Sequence, residues 1–596
     1  MSGLDLGVIG NCAIGALVDR NARIVWSCLP RFDGDPVFHA LLGAADGEDA
    51  YAGAFSIELE GFSHSEQAYD PNTAVLRTRL YGSDGDVLEV TDFVPRFRAR
   101  GRMFRPTMIV RRVRPLAGRP RVTFRIRPRF DWGAASPAVT HGSNHIRYVG
   151  SGLVLRLTTN APVTYVLNET PFVVAEPISF LLGPDETASD GVDTLARSFE
   201  EQTAIYWREW SRRLAVPLEW QDAVIRAAIT LKLCTFEETG AIIAAMTTSV
   251  PEAADTGRNW DYRYCWLRDA FFVVRALNSL AEVETMETYL RYLSNIVREV
   301  DGNHMQPVYG IGREAALVER IEEQLPGYRG MGPVRVGNQA YEHFQHDVYG
   351  NVILGAAQAF FDDRLFRKAT LDDFVLLEKV GERAYALHAE PDAGMWELRT
   401  RARVHTSSSL MCWAACDRLA KIARRFEQAD RAELWAERAA TIHATILERA
   451  WNPELNSFVE SFEGSDIDAS LLLMAEVGFV APDDQRFVAT VDRIGRELKR
   501  GNHLHRYAAA DDFGRPHTAF NICTFWYIDA LARIGRTEEA REIFESMLAT
   551  RNHLGLLSED TDHDTGELWG NYPQTYSMVG IINGAMRLSR RWDSVI

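Results

Sequence analysis

Helical periodicity governs the chain from Leu218 to its end, and this feature constrains the fold most. Apolar residues recur there at the spacing of amphipathic helices, without a matching set of strands. Helices that follow one another in pairs without a sheet favour a closed double ring of helices, the (α/α)6 barrel. The pattern predicts helices over 219–238, 267–281, 284–299, 345–361, 370–388, 407–426, 430–450, 467–476, 483–499, 518–534, 537–549 and 574–590.

The first 190 residues have a different pattern, typical of β-structure. Short runs rich in β-branched and aromatic residues are separated by Gly, Pro, Asn and Asp turns. These features predict an antiparallel β-sandwich and an α+β multidomain chain. The predicted units are a sandwich (1–190), a helical linker (191–217) and the barrel (218–596). The predicted strands are Ala22–Trp26, Val87–Val94, Met108–Val113, Arg121–Ile126, Leu153–Thr158 and Val163–Leu167.

Size and charge restrict the class of protein. The 596 residues exceed what one core normally holds, and the formal charge of −17 gives no attraction to nucleic acid or anionic lipid. The seven cysteines are scattered without a CxxC pair, which favours reduced thiols. No export signal and no apolar run of membrane-spanning length are found, so a cytoplasmic location is expected.

Five long loops between the predicted helices are rich in aromatic, charged and Gly residues. Long loops of this kind on a rigid scaffold usually carry function. If alternate loops of a helical barrel open at one end, these five surround a single cavity. They are Thr247–Trp266, Asn303–Gln345, Glu390–His405, Gly501–Thr518 and Leu554–Gln574.

The stretch from Arg258 to Ala270 is the most unusual segment of these loops. Of its thirteen residues, five are charged and four are aromatic. Aromatic rings can cover the apolar faces of a sugar, while Arg and Asp hydrogen-bond its hydroxyls. A structural cluster of salt bridges and rings between two helices explains the composition equally well.

Two glutamates in these loops, Glu397 and Glu559, have contrasting sequence neighbours. Glu397 follows Gly-Met-Trp, and an adjacent indole would favour its protonated form. Glu559 stands among Ser and Asp residues, which suits a carboxylate that stays ionised. Glycoside hydrolysis needs two carboxyl groups of this kind, one as an acid and one as a base or nucleophile. Alternatively, Glu397 pairs with Arg399 or Arg401 and Glu559 caps a turn.

Neither a metal nor a cofactor is expected. Asp560, Asp562 and Asp564 alternate as in a calcium loop, but the following Gly is one place late and the twelfth position is Asn571. The pair His343 and His346 lacks the HExxH pattern of zinc enzymes. No phosphate-binding or dinucleotide-binding glycine motif is present.

Several ordered motifs together resemble glycoside hydrolase family 15, the glucoamylase and bacterial trehalase family. The resemblance covers nearly the whole chain and is strongest at the segment from Thr247 to Ala270. The motifs that carry it are Leu6–Asn11, Ile24–Asp33, Thr247–Glu252, Arg258–Ala270, Pro333–Asn338, Gln345–Gly350, Met395–Glu397, Phe525–Trp526 and Leu557–Glu559.

The resemblance implies a β-sandwich, an (α/α)6 barrel and an inverting release of β-glucose from the non-reducing end of an α-glucoside. By position, Glu397 is similar to the general acid of the family and Glu559 to its general base. Arg268 and Asp269 resemble the pair that binds hydroxyls of the terminal glucose. Other residues that match the sugar pocket by resemblance are Arg506, Tyr507, Trp260, Tyr328, Trp396 and Arg335.

The chain also departs from the family. It has Ser407–Ser409 where bacterial relatives often carry His-Ser-Lys, and His517–Thr518 where many have Glu-Gly. Met246 stands where many have Pro. Because of these changes, the resemblance does not define which leaving group the protein prefers. The expected substrate is an α-linked gluco-oligosaccharide or trehalose. A homo-oligomer is compatible with the sequence.

Two alternatives to hydrolysis stay open on the sequence. An inverting α-glucoside phosphorylase would use phosphate in place of water and would need no base at Glu559. A catalytically silent sugar-binding protein would explain the altered segments.

Overall fold

The computed structural model describes residues 3–44 and 51–595. Two antiparallel sheets form the N-terminal part, as the sequence predicts. The strands are β1 (Gly7–Gly10), β2 (Gly15–Val18), β3 (Ile24–Cys28), β4 (Pro36–Phe38), β5 (Ala54–Leu59), β6 (Phe62–Tyr69), β7 (Leu76–Gly82), β8 (Val87–Phe93), β9 (Phe97–Ala99), β10 (Arg102–Phe104), β11 (Ile109–Ala117), β12 (Arg121–Arg127), β13 (Ala138–His141), β14 (His145–Val149), β15 (Val154–Thr159), β16 (Phe172–Val173) and β17 (Ile178–Gly183).

One sheet has the order β1-β2-β3-β5-β12-β16, with β4 paired to β3, and the other β13-β14-β15-β17-β11-β8-β7-β6. The sequence of β12 shows how the pattern dictates burial. Val122, Phe124 and Ile126 alternate with polar residues, so every second side chain enters the core. The β-sandwich prediction is therefore confirmed.

One predicted strand, Val163–Leu167, is wrong, because this segment forms a short helix, α1. Pro162 precedes it with φ near −59°, a value suited to the start of a helix. The amides of Tyr165 and Val166 donate to the Pro162 carbonyl oxygen at 2.9 and 3.2 Å. This local turn outweighs the β-preference of Val and Thr.

All twelve helices predicted after Leu218 are found, with ends shifted by a few residues. The helix α2 (Val192–Ser211) precedes these twelve. They are α3 (Gln221–Leu233), α4 (Leu267–Ser279), α5 (Glu284–Val300), α6 (Asp347–Ala357), α7 (Leu371–Leu387), α8 (Thr406–Arg425), α9 (Ala429–Arg449), α10 (Leu473–Val477, preceded by the 3-10 turn Ala469–Leu472), α11 (Gln485–Leu498), α12 (Asn521–Arg533), α13 (Thr537–Thr550) and α14 (Thr575–Leu588).

The helices close into two rings. In the inner ring α4 contacts α6, α6 contacts α8, α8 contacts the turn that begins α10, and the circle continues through α12 and α14 back to α4. The helices between them, α3, α5, α7, α9, α11 and α13, pack outside. This arrangement is the (α/α)6 barrel. Each chain segment that enters an inner helix therefore opens at the same end.

Short antiparallel strands lie in the loops at this end of the barrel. They are β18 (Thr235–Phe236), β19 (Ala241–Ile242), β20 (Cys265–Trp266), β21 (Val308–Tyr309), β22 (Arg320–Ile321), β23 (Arg335–Val336), β24 (Trp451–Asn452), β25 (Ser457–Phe458), β26 (Lys499–Arg500), β27 (His503–Leu504), β28 (Ala519–Phe520), β29 (Asp560–Thr561) and β30 (Leu568–Trp569). The last three strands, β28, β29 and β30, form one small sheet beside the start of α12.

The sandwich and the barrel share one hydrophobic core. The indole of Trp26 in β3 donates to the Met246 carbonyl oxygen at 2.8 Å, and Tyr572 after β30 donates to the Leu6 carbonyl oxygen at 2.5 Å. The guanidinium of Arg226 in α3 lies 3.6 Å from the ring centroid of Tyr69. These contacts hold the sandwich against the end of the barrel where the long loops lie.

Candidate active site

A cavity of about 870 Å³ opens at the loop end of the barrel. All five long loops that the sequence singles out contribute to its lining, for example through Trp260, His343, Glu397, Tyr507 and Glu559. The prediction that these loops surround one cavity is confirmed.

The stretch Arg258–Ala270 forms one wall because it is extended before α4 begins. In an extended chain successive side chains point to opposite sides. Trp260, Tyr262 and Trp266 line the cavity, whereas Asp261 and Arg263 point away from it. The rings of Tyr262 and Trp266 meet edge to face, with centroids 5.3 Å apart.

The opposite side of this wall is anchored in the sandwich by Arg263, which is fully buried. Its guanidinium pairs with Asp261 at 2.7 Å and donates to the Gly34 carbonyl oxygen at 2.7 Å. It also lies 5.0 Å from the ring centroid of Trp132. The sandwich therefore fixes the strand that presents Tyr262 and Trp266 to the cavity.

Glu397 lies in a tight turn between α7 and α8. Its amide donates to the Gly394 carbonyl oxygen at 3.1 Å, and its φ is +61°, a left-handed value that is costly for a residue with a side chain. The indole N–H of Trp266 donates to Glu397 Oε1 at 2.6 Å. The turn thus aims this carboxyl group at the wall formed by the aromatic pair.

Glu559 immediately precedes β29 and is 1% exposed. The phenol of Tyr262 donates to its Oε1 at 2.6 Å, while its Oε2 is buried without a hydrogen-bond partner among the described residues. Burial raises the pKa of Glu559 well above its ordinary value, and the nearby Glu252 and Asp560 carboxylates raise it further. The Tyr262 hydrogen bond and the Arg506 charge oppose this shift.

The two carboxyl groups therefore share one support. Each accepts a hydrogen bond from one ring of the Tyr262–Trp266 pair, and both line the same cavity. The chain places them 162 positions apart, and the barrel brings them together.

Their surroundings are the reverse of the contrast predicted from the sequence. The side chain of Glu397 is 23% exposed and meets an indole N–H instead of an apolar ring face. Glu559, expected in a polar and solvated setting, is almost fully buried. The neighbouring acid Asp560 is itself buried, so its presence does not make the surroundings of Glu559 solvated. The prediction of one dry acid at 397 and one wet base at 559 is wrong in this respect.

Arg268 and Asp269 begin α4 and both line the cavity, as predicted. Arg268 Nη1 donates to the Met395 carbonyl oxygen at 2.9 Å, and its Nη2 lies 4.0 Å from Glu397 Oε1. Burial raises the pKa of Asp269 to about 6, although the Arg268 charge opposes this. Asp269 Oδ2 is buried without a hydrogen-bond partner in the described chain. Arg268 Nε lies 3.4 Å from this oxygen, so the two side chains form an ion pair at the cavity.

Arg506 and Tyr507 also line the cavity. Arg506 pairs with Glu252 through a short contact, and the Tyr507 hydroxyl donates to Asp511. Glu252 in turn accepts a hydrogen bond from the Trp260 indole at 2.8 Å. The predicted residues are thus linked through Glu252, an acid to which the sequence reasoning gave no role.

The remaining predicted pocket walls divide into two groups. Trp396 lines the cavity, and its indole donates to Asp468 Oδ2 at 2.8 Å. Tyr328 does not line it, because its ring packs against Trp569 at 6.1 Å. Arg335 lies behind the wall, 5.6 Å from the ring centroid of Trp260. Tyr328 and Arg335 are therefore not among the residues that line this cavity, and their role at the sugar stays a prediction.

Sequence reasoning also missed the functional positions of Tyr262 and Trp266, although it singled out their segment. The aromatic residues of this segment were the available signal, but their alternation also includes Tyr264, which does not line the cavity. Asp511, Phe513 and His343 also line the cavity. Their loops were predicted to surround it, but nothing in the local sequence distinguishes these three residues from their neighbours.

The segments that depart from the family lie behind the cavity. The Ser408 hydroxyl donates to Asp392 Oδ2 at 2.7 Å and the Ser409 hydroxyl to the His388 carbonyl oxygen at 2.5 Å. The Thr518 hydroxyl lies 2.9 Å from the Glu252 carbonyl oxygen, to which it donates. These residues support the loops and leave both candidate carboxyl groups in place.

Two further observations concern the part of the chain that the structure describes. It contains no group of three or more His, Cys, Asp or Glu side chains arranged to hold a metal ion. None of the helices within residues 3–44 and 51–595 combines the length and the hydrophobicity that a bilayer span requires.

Comparisons with known proteins agree with the fold. Residues 220–586 match the model of glycosyl hydrolases family 15, and residues 5–170 match that of the trehalase-like N-terminal domain. A trehalase of Thermoplasma volcanium is 31% identical over 594 residues, covering 98% of this chain and 93% of its own. A trehalase of Mycobacterium tuberculosis is 30% identical over 624 residues, covering 98% and 89%.

Among solved structures, a bacterial glucoamylase complexed with acarbose superposes with a TM-score of 0.67. The match covers 98% of this chain and 94% of the glucoamylase, at 12% sequence identity. This likeness shows that the two chains share the fold of a sandwich followed by a helical barrel.

Proposed function

The chain belongs to glycosyl hydrolase family 15 and is a glycoside hydrolase of the trehalase or glucoamylase type, and from this premise we propose its mechanism and substrate. It is an inverting, exo-acting α-glucosidase that releases β-glucose, with Glu397 as general acid and Glu559 as general base. Trehalose is its preferred substrate.

The observation that carries the proposal is the pairing of the two carboxyl groups with the Tyr262–Trp266 rings. An inverting enzyme needs a gap of about 6.5–9.5 Å between its carboxyl groups, wide enough for one water. Here Glu559 accepts a hydrogen bond from the Tyr262 hydroxyl and Glu397 accepts one from the Trp266 indole, each at 2.6 Å, so two different donors hold the two groups. The ring pair keeps the carboxyl groups separate while directing both into one cavity.

Glu559 has the features of a base that activates water. Its unpaired Oε2 can accept a proton, and the Tyr262 hydroxyl holds Oε1 in position. Because burial raises its pKa, it is a stronger base than an exposed glutamate. Glu397 is the more exposed of the two, as an acid must be to reach the leaving oxygen beside the cavity mouth.

The terminal glucose is bound by the charged residues between these two groups. Asp269 and Arg268 form an ion pair that lines the cavity, and they can accept from and donate to adjacent hydroxyls of the sugar. Trp260 and Trp396 supply ring surface for the C–H faces of the sugar. Arg506 and Tyr507 close the far side, held by Glu252 and Asp511.

The choice of trehalose rests on relatives. The curated proteins of Thermoplasma, Mycobacterium and Sulfolobus that match nearly the whole chain are named trehalases. The cytoplasm is the proposed location, because the seven cysteines are buried free thiols, as expected in a reducing compartment.

The first prediction is that Glu397→Gln and Glu559→Gln each lower kcat on trehalose by about 1,000-fold, within the range for loss of a general acid or base. Glu390→Gln and Glu567→Gln are matched controls from the same two loops, outside the cavity, and should retain wild-type turnover. Thermal unfolding checks that all four variants fold. The first-formed product, followed by NMR, should be β-glucose.

Turnover that persists in a folded Glu397→Gln or Glu559→Gln protein contradicts the assignment of that residue. An α-anomer as first product excludes inversion. Release of glucose 1-phosphate only in the presence of phosphate would make the protein a phosphorylase instead.

A further inference from the structure

The leaving group of the reaction lies beside Glu397, if the proposed function holds, since the acid protonates the leaving oxygen. The residues that follow Glu397 therefore shape this side of the cavity. Leu398 and Arg399 line it directly, as do Asp512 and Phe513 from the loop before α12. The contacts between these two loops determine how large a leaving group the cavity can hold.

Three hydrogen bonds join the two loops. The Arg399 amide donates to Asp512 Oδ2 at 2.5 Å, and the Thr400 hydroxyl donates to the other oxygen of the same carboxylate. Arg401 Nη2 donates to the Ala510 carbonyl oxygen at 2.6 Å. We call this junction of 399–401 with 510–512 the seam. It closes the rim of the cavity next to the candidate acid.

Aromatic rings and a charged side chain on the cavity side contact Arg399 and stabilise the seam. The Arg399 guanidinium lies 4.6 Å from the ring centroid of Trp260 and 5.9 Å from that of Phe513. Trp260 and Phe513 meet edge to face at 5.1 Å. Glu319, from the loop before α6, pairs with Arg399 at 3.0 Å. Three of the long loops thus converge on one arginine.

A second arginine fixes the turn that carries Asp512. Arg258 pairs with Asp511 and donates to the Gly514 carbonyl oxygen at 3.0 Å. Burial disfavours the Asp511 charge, but hydrogen bonds from Arg258 and Tyr507 outweigh it and lower the pKa of Asp511. The turn is therefore bound to the wall on one side and to the seam on the other, and is not a free loop.

Residues inside this rim offer groups that can bind the leaving sugar. His343 lines the cavity with a buried Nδ1 that has no hydrogen-bond partner among the described residues, so it can bind a hydroxyl of the leaving sugar. The ring of Phe513, which lines the cavity, can cover its C–H face. A second sugar on the leaving side would have to pass through the seam, which would break charge-assisted hydrogen bonds.

We propose that the seam restricts the leaving group to one sugar unit, so that the enzyme hydrolyses α-linked disaccharides and rejects longer gluco-oligosaccharides.

The test compares substrates that differ by one leaving-side glucose: trehalose with α-1,4-glucosyl-trehalose, and maltose with maltotriose. In the wild-type enzyme the kcat/KM of the longer member should be lower by about tenfold or more, the range set by one steric mismatch. Asp512→Ala removes the acceptor at the centre of the seam and should raise the ratio of longer to shorter substrate by about tenfold.

Arg515→Ala is the matched control, because Arg515 is an exposed residue of the same loop outside the seam. In this variant the ratio of kcat/KM for the longer substrate to kcat/KM for the shorter one should equal that of the wild type. Thr400→Val removes one seam hydrogen bond while keeping the shape of the side chain. It should raise the ratio in the same direction, and it serves as the test should Asp512→Ala fail to fold.

Wild-type enzyme that cleaves both members of a pair equally well overturns the seam proposal and leaves the proposed function intact. An unchanged ratio in folded Asp512→Ala or Thr400→Val overturns it as well. Failure of the wild type to release glucose from any of the four substrates overturns the proposed function instead.

Discussion

At the scale of single residues, Tyr262 has the clearest chemical task. Its hydroxyl is the only described group that donates a hydrogen bond to the carboxylate of Glu559. A buried carboxylate without donors is strongly disfavoured in its ionised form. Tyr262 therefore stabilises the ionised form of Glu559, which the role of general base requires.

Tyr262→Phe should raise the pKa of Glu559 further, since it removes a hydrogen bond to a charged group worth about 1.5–3 kcal/mol. That energy corresponds to about one to two pKa units. Because the base must be ionised, the acid limb of the pH profile of kcat/KM should move to higher pH by this amount. Rates measured between pH 4 and 9 test the shift.

Tyr264→Phe is the control for this change. Tyr264 lies in the same extended stretch but does not line the cavity. Its variant should keep the wild-type acid limb. If the limb of Tyr262→Phe coincides with that of the wild type, Glu559 is not the group whose ionisation governs activity.

At the scale of elements, the hairpin of β29 and β30 positions Glu559 by close backbone approach. The Glu559 amide donates to the Asn571 carbonyl oxygen at 3.2 Å, so the backbone pairing of the hairpin extends beyond β29 and β30 to Glu559. Gly570 stands next to it with φ of +76°. A Cβ at this position would lie 2.5 Å from Glu559 Cβ, which leaves no room for any other residue.

Gly570→Ala should lower kcat by about 100-fold, the effect expected when a catalytic group moves by about 1 Å. Gly566→Ala, in the turn of the same hairpin, has a φ of +72° and open space at its Cβ. Both variants carry the backbone cost of about 1 kcal/mol for a left-handed alanine. Only Gly570→Ala should lose activity, and because its Cβ contact with Glu559 adds to the backbone cost, it should also melt at a lower temperature than Gly566→Ala. Activities are therefore compared well below both melting transitions. Equal activities would show that Glu559 tolerates the displacement.

At the scale of the whole molecule, a buried ionic cluster joins the sandwich to the barrel. Glu237, just after α3, lies 3.1 Å from Lys232 Nζ and accepts a hydrogen bond from Arg96 Nη1 at 3.0 Å. Arg96 comes from the segment after β8 and is fully buried. Burial disfavours the Glu237 charge, but Lys232 and Arg96 outweigh it and lower its pKa to about 2.

The sign of the pH effect follows from this lowered pKa. A carboxylate that ionises more readily in the folded state stabilises it above its unfolded pKa of 4.5, and this stabilisation is lost as pH falls towards 2. Glu237→Gln should therefore lower the free energy of unfolding by about 3 kcal/mol at pH 7. The difference from wild type should shrink between pH 4.5 and 2, as measured by urea unfolding.

Glu60→Gln is the comparison for this cluster. Glu60 pairs with Arg121 at 3.0 Å in the sandwich, but its side chain is 62% exposed. Exposed pairs contribute about 1 kcal/mol or less. A Glu237→Gln difference that is equally small, or that persists unchanged at low pH, would contradict the role of the cluster in joining the two parts.

The sequence by itself determined the kinds of elements and their order. Helical spacing and turn residues are local properties, so all twelve barrel helices and five of the six predicted sandwich strands followed from them. The sixth, Val163–Leu167, is a helix that begins after a proline, and the sequence reasoning did not predict the remaining strands of the sandwich. The five loops also followed from the sequence, because their composition differs from that of the helices. The resemblance of their motifs to a known family supplied Glu397, Glu559, Arg268 and Asp269.

Only the tertiary structure decided which groups meet. Trp266 reaches Glu397 across 131 positions, and Arg506 reaches Glu252 across 254. The burial of Glu559 and the seam at Asp512 likewise depend on loops that are far apart in the chain. Burial and electrostatic surroundings are set by whichever side chains the barrel brings together. Sequence neighbours therefore gave the wrong environments for both glutamates.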